Sequence, residues 1–584
     1  MNAVAYEWWD SPENLSRVMS YCDQDVVTET EIDGLLPHLT AAERKVWELD
    51  QRINDRGFRL DIPLIERALA VRDIAKRGLD ARMREITGGA VGKCSEVAKL
   101  AAWIRSQGIA CDSIGKGVQE ELMLHADADN LPLVREAIEL RQAAAKPVSK
   151  FATMLECVCA DGRARGQLAY HGASSGRWAG RLIQPQNLYR VDPERDGDDI
   201  ARTVDILLTH SAQDACDMIG MLFGNVMVAL AKIMRAVIVA AEGNTLKGAD
   251  LANIEGRLQA WIAGEEWKLE AFRAYDAGTG PDLYCVAYGK AFGEDPGAVK
   301  KQKSKRQIGK VMELSAGYQG SVGSFLNMGK NYGLKPAALV PVIQQVALDR
   351  WLWWCDRYKG ARDKHGLPMD QWAAIKTIVQ GWREGHPKIV QAWWDVQDAA
   401  IEAVANPGQV VTVLDGKVSY LAARGFLWCR LPSGRVLAYC NPRVVQTREV
   451  WLEGPNGETI EWDEGVAEVM LSIGWVRKER LRRRVDYDGY EGETRRWTSF
   501  ALYGGMQFNH IVQGTARDVL VEGMLRAEAA GYVIVLTVHD EVVDESPAWF
   551  GSARELEELL TAGEPWLAGC PLAASGWEGV RYGK

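Results

Sequence analysis

Two apolar segments, each closing on an aspartate, stand about 290 residues apart in this 584-residue chain. The first is NTLKGADL, ending at Asp250 and Leu251. The second is YVIVLTVHDE, with Asp540 after the apolar run and Glu541 beside it. Short apolar runs bounded by turn residues read as buried strands, and KIMRAVIVAAEGNTLKGADL reads as strand, Glu-Gly turn, strand. One Asp at a strand end is ordinarily a turn or a cap. Two of them, each with a glutamate nearby (Glu255 and Glu541), constrain the fold further. Neighbouring strands that bring such carboxylates together can hold two Mg²⁺ ions about 4 Å apart, which clamp the attacking and leaving oxygens of a phosphoryl displacement.

The remainder is ordinary globular sequence, 47% hydrophobic and 25% charged, which excludes a mainly disordered or fibrous chain. Its length suits about three to four domains. The longest near-apolar run, Ile219 to Ala231, is interrupted by Asn225 and is too short to span a bilayer. The opening MNAVAYEWWD has neither a basic nor an apolar export region. Eleven cysteines, with only the Cys157/Cys159 pair close together, suggest neither a zinc site nor a disulfide framework. These features lead us to expect a protein of a reducing compartment, with no membrane partner. The net charge of −10 argues weakly against a nucleic-acid partner, yet a groove can be basic on an acidic body, and KKQKSKRQIGK (300–310) and VRKERLRRRV (476–485) are local basic clusters.

Along the chain, MSYCDQDVVTETEIDGLL reads as a helix, and helix, a turn at Arg56-Gly57, an extended piece and a long helix follow. More helices run to about residue 156, including LPLVREAIELRQAAAK. The stretch HGASSGRWAGRLIQPQNLYR is loop, 253–406 is helical and rich in tryptophan, and 409–500 switches to short β-type runs such as WLEGPNGETIEW. FNHIVQGTARDVLVEGMLRAEAAG is a long helix before the last strands. The fold class expected is α/β with a helical majority.

A second constellation is Arg306, Lys310, Leu314 and Tyr318. Steps of four place them along one slowly drifting helix face. Cations near a helix start oppose the helix dipole, so a bound phosphate is their natural complement there.

Taken together, these residues resemble the family A DNA polymerases, the DNA polymerase I group. DLANIEGR (250–257) is similar to motif A, RQIGKVMELSAGYQG (306–320) to motif B, and VHDE (538–541) to motif C. SGR (175–177) followed by PQNL (185–188) resembles an upstream element, and Asn509, Gln513, Gly514 and Ala516 match a further helix. The YGGMQFNHIVQGTARD and LPSGR segments resemble the bacteriophage-type branch.

The resemblance implies a right-hand polymerase: palm sheet, helical fingers and helical thumb. It divides the chain into an exonuclease-like remnant (1–35), thumb (36–165), first palm part (166–260), fingers (261–405), an unassigned β-rich insertion (406–500) and second palm part (501–584). It implies that Asp250, Asp540 and the Leu251 carbonyl hold two Mg²⁺, with Glu541 an accessory acid. Arg306 and Lys310 would grip the triphosphate of a dNTP. Leu314, Tyr318 and Tyr284 would line the nucleotide site, and Glu255 would be the steric gate against a ribose 2′-hydroxyl. Arg177, Asn187, Asn509, Gln513 and His539 would contact primer–template DNA.

Departures are Leu314 for an aromatic, Tyr284 for a histidine, Leu251 and Asn253 in motif A, and Gly505 where the family often has arginine. Of the exonuclease carboxylates only Tyr21-x-x-x-Asp25 is recognisable, so proofreading by this chain is expected to be absent. A truncated chain or a separate exonuclease polypeptide would account for that; a processivity subunit is a further partner to consider. The location implied is the bacterial host cytoplasm. The rival readings are a single-subunit RNA polymerase and a non-catalytic polymerase-like DNA-binding subunit.

Overall fold

The computed structural model describes residues 11–583, except 36–37, 116–117, 146, 192, 359–364, 455–458, 462–466, 468–469 and 493. The first ten residues of the 1–35 segment therefore lie outside the described part. The rest of that segment is one helix, Pro12–Leu35, exposed along nearly its whole length.

Thr40 caps the helix Ala41–Arg56 by accepting from the Glu43 amide, and Gly57 ends it at φ 57°. A Cβ on Gly57 would lie 2.3 Å from the Ala164 carbonyl oxygen, so this turn needs glycine for space as well as for conformation. The strand Phe58–Leu60 then leads to Asp61, whose carboxylate caps Ile62–Ile86 at the Leu64 amide. This order matches the sequence reading. A small second core (Met83, Leu100, Ile104, Val134, Ile138) closes the outer part of this helical region.

The carboxylate-bearing strands do meet in one sheet. Its order is Ile534–Val538, Glu541–Pro547, Asn244–Leu251, Ala574–Gly579, all antiparallel. Asp250 stands opposite Glu541 on one side and Ser575 on the other. The Ala553–Thr561 helix packs on this sheet, and Gly504–Ala529 packs against that helix.

Three expectations are corrected. The segment before Asn244 is no hairpin partner of it: Ile238–Val239 pairs with Phe58–Leu60 in a separate sheet. The Glu242-Gly243 turn, with Gly243 at φ 83°, reverses the chain between sheets rather than within one. The runs in 409–500 are not all short, since Val436–Glu453 and Val476–Glu491 have 18 and 16 residues. The Asn441-Pro442 pair looks like a turn but is absorbed as a bulge between Cys440 and Arg443, with Asn441 at φ 47°. A bulge tolerates proline's missing N–H. Within WLEGPNGETIEW, Trp451–Glu453 pairs with Thr459–Glu461, and 455–458 lie outside the described residues. Finally, the 306–318 stretch is not one helix. Lys303–Ala316 stops at Gly317, and Tyr318 lies in the turn beyond.

The near-apolar run is likewise split, at Gly224, into Ala212–Phe223 and Val226–Lys232, bent by 93°. Among the described residues no single helix is long and apolar enough to cross a membrane. All eleven cysteines are free thiols.

Candidate active site

Sheet register builds the centre of the site. The Leu251 amide donates to the Asp540 carbonyl oxygen at 3.1 Å, tying the two aspartate-bearing turns together. Asp540 follows His539, which adopts φ 57° in the tight turn between two antiparallel strands. Burial pushes the Asp540 carboxyl up to about 6; the Arg177 guanidinium opposes this, while the Glu255 and Asp250 charges add to it.

Arg177 bridges two of these acids. One guanidinium nitrogen donates to Asp540 at 2.9 Å and the other to Glu255 at 2.7 Å. The side chain expected to touch DNA is thus held by carboxylates in this state. Glu255, in the first turn of Ile254–Ala263, also accepts from the Tyr318 hydroxyl at 3.0 Å. Burial and the Glu255 charge keep the Tyr318 phenol well above its ordinary range, so it remains a donor. Asn509 also hydrogen-bonds Tyr318, and Gln513 follows one turn later along Gly504–Ala529. Arg177, Glu255, Tyr318, Asn509 and Asp540, drawn from four distant parts of the sequence, therefore form one connected set.

The motif B cations point elsewhere in the same region. Arg306 donates to Asp282 at 2.8 Å, which raises the guanidinium pKa and outweighs burial in lowering that of Asp282. Asp282 also caps Leu283–Phe292 at the Tyr284 amide. Lys310 lies over the Tyr332 ring at 4.3 Å and the Tyr284 ring at 5.9 Å. Burial, then Arg306, lowers its ammonium pKa, so an anion arriving there would be favoured. Leu314 on the same helix is exposed. Asp282 and Tyr332 were missed in the sequence. The first had a signal, an Asp directly before a helix; the second had none.

Below this surface lies a buried network. Glu313, nearly without exposure, accepts from Lys268 at 2.6 Å and from the Trp382 indole at 2.7 Å. Against the effect of burial, Lys268 and His386 hold its carboxyl far below the usual range. The turn carrying Tyr318 is pinned as well, with Gln259 and Trp393 both donating to the Gly317 carbonyl.

The other expected residues divide. His539 sits against the Gln186 backbone, and burial, then Arg190, lowers its pKa; a neutral imidazole follows. Asn187 is exposed and donates to Gln184 at 3.1 Å. Glu541, expected as an accessory acid, is a buried sheet residue whose carboxylate accepts from the Trp577 indole at 2.7 Å and from the Tyr582 hydroxyl. Gly505, where an arginine contact was expected to be missing, has no room for any side chain. A Cβ would lie 2.5 Å from both the Tyr318 carbonyl oxygen and the Gln319 Cβ.

Among the described residues no three His, Cys, Asp or Glu side chains group as a closed metal cage. Asp250, Asp540 and the Leu251 carbonyl nevertheless suit Mg²⁺, which is usually held by one or two carboxylates together with substrate phosphates. A desolvated carboxylate with a raised pKa also gains most from a nearby cation.

No protein-family model matches the chain. A DNA polymerase of Bacillus phage SP02 is 32% identical over 582 residues, spanning 98% of this chain and 76% of that one. Among solved structures, the POL domain of Pol1 from M. smegmatis, in complex with DNA primer-template and dNTP, superposes with a TM-score of 0.51 at 14% identity. The match covers 93% of this chain and 69% of that one.

Proposed function

The chain belongs to the bacteriophage-type DNA polymerases, the family of its Bacillus phage relative, and we propose that Asp250 and Asp540 are the centre of its template-directed extension of a primer 3′-end. The enzyme is a nucleotidyltransferase that adds deoxynucleotides and releases pyrophosphate. The observation that carries the site assignment is the register that sets Asp250 beside the Asp540 turn, with Arg177, Glu255 and Tyr318 joined around it.

Asp250, Asp540 and the Leu251 carbonyl would hold two Mg²⁺ ions, which supply Lewis-acid stabilisation of the attacking and leaving oxygens. Arg306 and Lys310 neutralise the triphosphate, and their charge matters most as negative charge moves to the leaving oxygen. For Arg306 this means exchanging Asp282 for phosphate. Glu255, braced by Tyr318, occupies the space a ribose 2′-hydroxyl would need, and so selects dNTPs. Arg177, held here by Asp540 and Glu255, would contact the primer–template together with Asn509 and Gln513 once it exchanges those carboxylates for DNA. His539 is a contact residue at the primer end. Leu314 and Tyr284 line the nucleotide side. On this reading 36–165 is the thumb, 166–260 and 501–584 the palm, and 261–405 the fingers. The enzyme acts in the host cytoplasm.

A two-metal nuclease needs several carboxylates, and of the set expected of an exonuclease this sequence carries Asp25, exposed on its helix. The test is primer extension with Mg²⁺ and dNTPs beside a tube without nucleotide. Asp540→Asn should abolish extension yet bind primer–template within a few fold; activity within about tenfold of wild type would refute the metal assignment. Shortening of the primer without nucleotide would refute the expected absence of a nuclease.

A further inference from the structure

The loop Leu431–Arg435 closes the hairpin between the strands Phe426–Arg430 and Val436–Glu453. Two backbone bonds fold it tightly. The Leu431 amide donates to the Arg435 carbonyl at 2.8 Å and the Gly434 amide to the Leu431 carbonyl at 2.9 Å, with Gly434 at φ 89°. Leu431 is buried, and only 13% of the Arg435 side chain is exposed. The loop therefore points inward, from a β-rich region that contributes no residue to the site described above.

The Arg435 guanidinium makes three attachments at once. Its Nε donates to Asp518 at 2.6 Å, while Nη2 donates to the Ser175 carbonyl and to the Gly514 carbonyl, each at 2.9 Å. Ser433 of the same loop holds the other Asp518 oxygen. Gly514 directly follows Gln513, and Asp518 lies one turn later on the same helix. Ser175 stands two residues before Arg177. One planar cation thus joins two backbone segments that carry expected primer–template contacts, one 260 positions before it and the other 79 after it.

Two glycines make room for the loop. A Cβ on Gly176, at φ 86°, would lie 2.5 Å from Arg435 Nη1, and one on Gly514 would lie 2.8 Å from Leu431 Cδ1 and 3.1 Å from Arg435 Nη2. The turn before Arg177 is itself closed, since the Gly176 amide donates to the Ala173 carbonyl at 2.9 Å and the Ala173 amide to the Arg177 carbonyl at 3.1 Å. Any shift of Ser175 is therefore passed to Arg177. A buried ion pair by itself is weak support for a fold, and Asp518 has a second cation in Arg517 at 3.3 Å. What Arg435 adds is direction. Its rigid fork serves a carboxylate and two carbonyls together, which the single nitrogen of a lysine cannot do.

We propose that Arg435 is a positioning residue for primer extension: it registers the Ser175–Arg177 turn on the helix that carries Asn509 and Gln513, and acts on the reaction through Arg177. The proposal rests on the polymerase reading and deepens it.

Arg435→Lys keeps a charge beside Asp518 and removes the fork. Its thermal midpoint should stay within about 4 °C of wild type. Single-nucleotide incorporation on a matched primer–template, normalised to titrated active sites, should show kcat about tenfold lower. KM for dNTP should stay within about twofold, because Arg306 and Lys310 are engaged by Asp282 and Tyr332 rather than by this loop. In an Arg177→Ala background the same substitution should lower kcat by less than about twofold more, the non-additivity expected of residues acting through one another. Should Arg435→Lys fail to fold, Arg435→Gln combined with Asp518→Asn removes both charges, strands neither, and should show the same split. A folded variant with kcat within twofold of wild type would overturn the proposal. So would an equal loss with and without Arg177, which is the signature of general support. Failure of wild type to extend the matched primer would instead count against the polymerase reading.

Discussion

Gly505→Ala is the most economical probe of how the site is built. It adds one methyl group at the start of the Gly504–Ala529 helix. The new Cβ would stand 2.5 Å from the Tyr318 carbonyl oxygen and 2.5 Å from the Gln319 Cβ, where ordinary contact begins at 3.4 Å. The Tyr318–Gln319 turn must therefore retreat by about 0.9 Å, or the helix must, and neither is the free tip of a side chain. Gln259 and Trp393 hold the Gly317 carbonyl, Arg383 reaches the Gly320 carbonyl at 3.1 Å, and the Gly505 amide itself donates to Gln319 at 3.2 Å. Overpacking a constrained contact of this kind costs about 1–3 kcal/mol. The same retreat would stretch the 3.0 Å bond from Tyr318 to Glu255 to about 4 Å, beyond hydrogen-bond range, and loosen the gate.

Denaturant unfolding should show the stability loss. Single-turnover incorporation should show kcat/KM for dNTP reduced, up to about 100-fold for a displacement near 1 Å, and ribonucleotide use raised relative to deoxynucleotide use. Gly78→Ala is the control, since Gly78 lies inside the Ile62–Ile86 helix with nothing within 4 Å of its added Cβ. It should stabilise by about 0.5–1 kcal/mol with unchanged kinetics. If Gly505→Ala matched wild type in both stability and nucleotide preference, the close approach of helix and turn would be refuted.

Glu255→Ala should raise ribonucleotide over deoxynucleotide incorporation in competition assays, and an unchanged ratio would remove the gate. Lys268→Met strands the buried Glu313 charge and should destabilise by about 3–5 kcal/mol; a loss under about 1 kcal/mol in denaturant titration would count against the network. Burial lowers the His510 imidazole from 6.5 to about 4, so the fold holds it neutral. Its contribution, about 3 kcal/mol, is present above pH 6.5 and is lost as pH falls through 4. His510→Gln should flatten that acid limb in urea titrations, and parallel limbs would refute the assignment.

Much of this protein was legible in its residues because local rules suffice there. Apolar runs ending at Asp250 and Asp540 make strands wherever they fall, Thr40 and Asp61 cap helices through neighbours three positions away, and the motif B spacing makes a helix as far as Ala316. The tertiary structure alone decided which distant residues share a charge environment. Arg177 lies between Glu255 and Asp540, 78 and 363 positions away, and Coulomb attraction in a partly buried site depends on separation in space. Glu541 shows the converse. Its sequence position beside Asp540 suggested a site acid, yet Trp577 and Tyr582, brought in by the last strand and the tail, make it a buried structural acceptor. The absence of a side chain at Gly505 read as a missing contact, and only packing explained it: the space is already filled by the Tyr318 turn. Excluded volume between segments 187 positions apart leaves no local trace in a sequence.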